Sequence, residues 1–148
     1  MTTDLSLCEI LLVEDNVNDV ELTLRALSKN HLDSALHVVR DGQEALDFIF
    51  SQGSYASRGT KSPPKVVFLD LKLPKIDGLE VLKKIKTNNK AKTIPIVIVT
   101  SSQEAQDIQE CYRLGANSFI QKPIEFDNFM QAISDAGLYW TVVNKSPS

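Results

Sequence analysis

Several short stretches of this chain are apolar at every position: ILLV at 10–13, VVFL at 66–69 and IVIV at 96–99. A strand with one face in water would alternate polar and apolar residues, and these do not. Such runs fit strands buried on both faces, which is the habit of parallel sheets covered by helices on either side. Longer amphipathic stretches lie between them. The apolar and half-apolar runs CEILLV (8–13), ALHVV (35–39), VVFLD (66–70), PIVIV (95–99) and NSFIQ (117–121) alternate with helical patterns at 16–29, 41–52, 78–86, 104–114 and 125–140. Strict strand–helix alternation predicts an α/β domain with a doubly wound, five-stranded parallel sheet. Among doubly wound orders, 2-1-3-4-5 suits five strands and opens a crevice where strands 1 and 3 part.

Local signals set the expected faces. Asn16 is placed to cap the first helix, with Val17, Val20, Leu24 and Leu27 inward. The second helix turns Ala45, Leu46, Ile49 and Phe50 inward, and the third Leu79, Leu82 and Ile85. Residues 53–65, rich in Gly, Ser and Pro, read as a long surface loop. Gly137 is expected to weaken the end of the last helix. At 148 residues the chain suits one domain over 1–148, with a core of about 8–140 and a short tail at 141–148.

A net charge of −3 offers no overall basic field for nucleic acid. No run approaches the ~18 apolar residues of a membrane span. No signal peptide is evident, and Cys8 and Cys111 are too far apart for a zinc or disulfide framework. Two buried, reduced thiols in a cytoplasmic protein are the expectation.

Function is expected at the carboxyl ends of the strands, where open α/β sheets bind ligands. The first strand ends in Glu14-Asp15, the third in Asp70, the fourth in Thr100, and Lys122-Pro123 follows the fifth. Taken singly, each has a structural reading: the acids as helix-end charges, Thr100 as a cap, Lys122 as a solvated lysine. Together they bring three carboxylates, a hydroxyl and an ammonium to one edge. Clustered carboxylates repel, and an all-oxygen set without His or Cys favours Mg²⁺. A carboxylate beside Mg²⁺ and an ammonium can accept a phosphoryl group. No G-x-x-x-x-G-K-[ST] loop accompanies VVFLD, which argues against a P-loop enzyme. Lys72 stands where aspartyl phosphatases usually carry their second Asp, which argues against hydrolysis.

The segments ILLVEDN (10–16), RDGQEAL (40–46), VVFLDLKLPKIDG (66–78), PIVIVTSS (95–102) and LGANSFIQKP (114–123) resemble the receiver domain of two-component response regulators, in that family's order. The resemblance implies a flavodoxin-like fold with Asp70 accepting phosphate from a sensor histidine kinase. It implies Mg²⁺ held by Glu14, Asp15, Asp70 and the backbone carbonyl of Lys72. Thr100 and Lys122 match the groups that hold phosphoryl oxygens, Phe119 matches an aromatic switch, and the Lys122–Pro123 bond would be cis. Such a chain is a phosphoacceptor that signals by protein contact, not a turnover enzyme. QGSYASRG at 52–59 and the Tyr139-Trp140 pair further resemble small stand-alone regulators of phytochrome-type kinases, which usually carry Asn where Lys72 stands. That subgroup implies a homodimer through the fourth helix, fifth strand and last helix. A phosphotransfer protein is the other implied partner; no direct contact with nucleic acid or membrane is expected.

Overall fold

The computed structural model describes residues 8–58, 63–101, 105–122 and 126–147. Five strands, β1 (Ile10–Val13), β2 (Leu36–Val39), β3 (Val66–Leu69), β4 (Ile96–Thr100) and β5 (Ser118–Gln121), form one sheet. Their order is β2-β1-β3-β4-β5 and every pairing is parallel, as the apolar runs require. Helices α1 (Val17–Ser28), α2 (Gly42–Ile49), α3 (Gly78–Lys86) and α4 (Ala105–Arg113) connect them, and α5 (Phe126–Leu138) follows β5. The three central strands are buried at every position, whereas the edge strands β2 and β5 are mostly half-buried.

The core divides into two layers because successive strand residues point to opposite faces. Leu11, Val13, Val67, Leu69, Ile96 and Ile98 meet α2 and α3 residues such as Leu46, Leu82 and Ile85 on one side. Ile10, Leu12, Val66, Phe68, Val97 and Val99 meet Val20 and Leu27 of α1 and Met130 and Ile133 of α5 on the other. Cys8 and Cys111 are buried and unpaired, and burial pushes both thiols up to about 11, so they are packing groups at neutral pH.

Several local expectations need correction. Val17 is not inward: as the first residue of α1, after the Asn16 cap, it is 61% exposed, and Thr23 and Ala26 take part in the buried face instead. Phe48 is a fully buried side chain of α2, while Phe50 is only partly buried. The stretch at 53–65 is not loop throughout. Residues Gly53–Arg58 form a 3₁₀ helix docked on β2 and α2. Arg58 lies 4.0 Å over the Phe48 ring, and Tyr55 Oη donates to Glu44 Oε2 at 2.8 Å while meeting His37 Nε2 at 3.0 Å.

Gly137 stands one residue before the α-helical part of the last helix ends, at Leu138. It lies against α1, where a Cβ would come 2.6 Å from Leu27 Cδ2. The missing side chain therefore lets α5 approach α1, and the helix runs on into a π-helical turn, Tyr139–Val143, tied by Thr141 Oγ1 donating to the Gly137 carbonyl at 2.7 Å. Trp140 packs on the second core layer and stacks edge-on with Tyr139, which is exposed together with Val142 and Val143.

Candidate phosphoryl and metal site

The strand register brings the four predicted positions together. Val13 pairs with Leu69, Leu69 with Ile98, and Thr100 with Gln121. The ladder continues one step further: Asp70 N donates to Val13 O at 3.1 Å and Lys122 N to Thr100 O at 2.7 Å. Glu14 and Asp70 therefore leave β1 and β3 at one level, and Thr100 and Lys122 stand one and two steps beyond it on β4 and after β5, all at the same edge of the sheet. Asn16, not an acid, caps α1 by accepting from Asp19 N at 3.1 Å, which leaves Glu14 and Asp15 available for the site.

Lys122 is not a solvated lysine. It is 7% exposed and its ammonium donates to Glu14 Oε1, to Asp19 Oδ2 at 2.8 Å and to Asp70 Oδ2 at 3.3 Å. Burial alone would pull its pKa down, but the hydrogen bonds to Asp19 and Glu14 and the charge of Asp70 outweigh it, and the ammonium is held above its ordinary range. Burial pushes Glu14 up to about 7, with the Asp70 charge adding to the rise and Lys122 opposing it. Asp19 is the member that sequence reasoning missed. It lies in the first turn of α1, three residues after the Asn16 cap, where an acid reads as an ordinary helix-dipole charge.

Glu14, Asp15 and Asp70 each offer an oxygen, and these lie within 4.8 Å of one another. One ammonium cannot neutralise these three acids and Asp19 together. The all-oxygen donor set, with excess negative charge, fits a hard divalent cation such as Mg²⁺. Beside it opens a cleft of about 440 Å³, lined by Asp15, Leu71, Lys72, Leu73, Pro74 and Asp77, which gives a phosphodonor access from solvent. Thr100 is wholly buried at the end of β4. Phe119 is half-buried beside Ile98 and packs against the α2–α3 core layer. The expected cis Lys122–Pro123 bond falls outside the described residues.

This fold and edge are those of a receiver module, and a profile of the response regulator receiver domain matches residues 10–134. The chain belongs to that family, the receiving side of two-component systems, whose partners are histidine kinases and whose sites bind a divalent metal. It is similar to the response regulator Rcp1 of Synechocystis, with 36% identity over 132 residues, 88% of this chain and 87% of Rcp1. A Mn²⁺-bound crystal structure of Rcp1 superimposes with a TM-score of 0.85 at 34% identity, covering 94% of this chain and 98% of that one. The phosphorylated cyanobacterial phytochrome response regulator RcpA gives 0.84 at 36% identity over 94% and 97% of the two chains. The bacteriophytochrome response regulator AtBRR is 51% identical with a TM-score of 0.72, over 92% and 96%. Among the described residues, no helix is long and apolar enough to cross a membrane.

Proposed function

We propose that Asp70 is the phosphoacceptor of a two-component relay and that the chain signals by protein contact without turning over a substrate. The observation that carries this reading is the Lys122 ammonium shared among Glu14, Asp19 and Asp70, beside three carboxylates spaced for one cation. Asp70 Oδ attacks the phosphorus of the kinase's phosphohistidine. The new O–P bond forms as the P–N bond breaks, and the imidazole leaves with the electron pair. Glu14, Asp15, Asp70 and the Lys72 carbonyl would hold Mg²⁺, which supplies charge neutralisation for the transferring group. Lys122 and the Thr100 hydroxyl bind phosphoryl oxygens. Thr100 turning toward them frees room for Phe119 to move inward, which changes the α4–β5 face.

The partner is a phytochrome-type sensor kinase in the cytoplasm, and the readout is a homodimer through α4, β5 and α5. Likeness to RcpA and AtBRR supports the kinase type. The exposed apolar side chains of Tyr139, Val142 and Val143, just past α5, support the dimer. The direct test is incubation with Mg²⁺ and acetyl phosphate, followed by mass spectrometry. The reading expects one phosphate per chain, stable for minutes or longer, and none without the cation. Continuous hydrolysis of a phosphate ester would overturn it in favour of a phosphohydrolase. Lys72 is exposed at the rim of the site, where its ammonium can influence the water that attacks the phosphate. Lys72→Ala is expected to change the decay of the phosphorylated chain several-fold, and an unchanged decay rate removes that role.

A further inference from the structure

The loop joining β3 to α3, residues 71–77, carries the Lys72 carbonyl, and it is held at two places by backbone contacts that no rotamer change can relieve. At its end, Gly78 N donates to Leu71 O at 2.7 Å, and a Cβ on Gly78 would lie 2.2 Å from Asp70 O. This first contact is internal to the loop and its helix. The second comes from elsewhere. Gly42, the first residue of α2, donates its N–H to Pro74 O at 3.3 Å, and a Cβ there would lie 1.9 Å from Ile76 O.

The chain between these points is bent sharply. Lys75 is in the left-handed region at φ 67°, which is costly for any residue but Gly, Asn or Asp. Ile76 N donates back to Pro74 O at 2.9 Å, so one carbonyl takes both the loop's own turn and the α2 contact. Asp41 completes the grip. One carboxylate oxygen caps α2 by accepting from Glu44 N at 2.7 Å, and the other lies 3.5 Å from Lys75 Nζ.

We propose that the Asp41-Gly42 start of α2 is a clamp that positions the Lys72 carbonyl for the cation, with Gly42 as its positioning residue. The proposal rests on the assignment of that carbonyl as a metal ligand and names what holds it in place. Mg²⁺ accepts little departure from octahedral geometry at ~2.0–2.1 Å, so a loop displaced by a few tenths of an ångström binds it less well. Lys72 sits outside the sheet ladder, and the contact recorded for its own N–H is a long one of 3.4 Å to Asp70 Oδ1. The loop therefore takes its position from its neighbours, and α2 is one of them.

The experiment is Mg²⁺ titration by calorimetry, with melting measured with and without the cation, on the full chain. Gly42→Ala is expected to bind Mg²⁺ at least tenfold more weakly. The rise in melting temperature that Mg²⁺ produces should shrink accordingly. A merely structural role would lower both melting temperatures together and leave that rise unchanged. If Gly42→Ala does not fold, a backbone pair at Lys75 decides. Lys75→Val and Lys75→Gly both lose the contact to Asp41, but only valine is strained at φ 67°, so Lys75→Val is expected to bind Mg²⁺ clearly more weakly than Lys75→Gly. Natural Mg²⁺ affinity in Gly42→Ala, or in Lys75→Val where the first variant is unfolded, overturns the clamp and leaves the phosphoacceptor reading standing. A natural chain that binds no Mg²⁺ overturns both.

Discussion

Asp70→Asn incorporates no phosphate from acetyl phosphate and Mg²⁺ under conditions in which the natural chain reaches one per molecule. The amide oxygen is a poor nucleophile, and the amide nitrogen cannot accept from Lys122, whose Nζ lies 3.3 Å from Asp70 Oδ2. The neighbouring acids do not take over. Glu14 is buried and engaged, with Oε1 on Lys122 and Oε2 accepting from Asn16 N at 3.2 Å. Asp15 is exposed, one residue beyond Glu14, the position level with Asp70. Loss of labelling is not loss of fold. Replacing one of several crowded carboxylates with a neutral isostere relieves repulsion that Lys122 only partly offsets, so the cation-free variant is expected to melt above the natural chain. Melting curves beside the mass spectra check both halves. A phosphate on the variant at the natural level would place the acceptor elsewhere.

The legible part of this protein is the part written in strands. ILLV, VVFL and IVIV lack alternation, which leaves few options besides a covered parallel sheet. Once strand order is set, residues that follow strands share an edge without any knowledge of side-chain geometry. Glu14, Asp70, Thr100 and Lys122 were found for that reason. What escaped depends on contacts between elements. Asp19 sits on the first turn of α1, where an acid is already explained by the helix dipole. Only its 2.8 Å approach to Lys122, from a residue 103 positions away, gives it a second role. Val17 continues the apolar spacing of α1, yet it opens the helix and stays largely exposed, and periodicity alone does not say where a helix's cover begins. Phe48 fell off the apolar face read for α2 because its neighbours are His37 of β2 and Tyr55 and Arg58 of a segment that reads as loop. Gly137 is legible as a weak helix former near the end of α5, but its second role, admitting Leu27 at close range, is a contact between elements that propensity does not show.

Lys122→Met separates the two roles that one ammonium performs. In the cation-free protein Lys122 is the counter-charge for Glu14, Asp19 and Asp70, and its removal leaves the buried Glu14 facing two half-buried acids. Breaking a buried pair of this kind costs about 3–5 kcal/mol, reduced here to the extent that Glu14, already pushed up to about 7, takes a proton instead. Methionine preserves most of the apolar stem, so the loss is chiefly of charge. Mg²⁺ then meets acids with no competing ammonium. The variant is expected to bind the cation more tightly than the natural chain and to recover most of its melting temperature when the cation is added. Phosphorylation does not recover with it. The positive group that holds a phosphoryl oxygen is gone, and the rate with acetyl phosphate and saturating Mg²⁺ is expected to fall on the order of 10²-fold. Stability rescued by Mg²⁺ with labelling still slow is the signature of a residue that balances the resting site and also contacts the transferred group. A cation-free variant as stable as the natural chain would refute the first role, and a natural labelling rate the second.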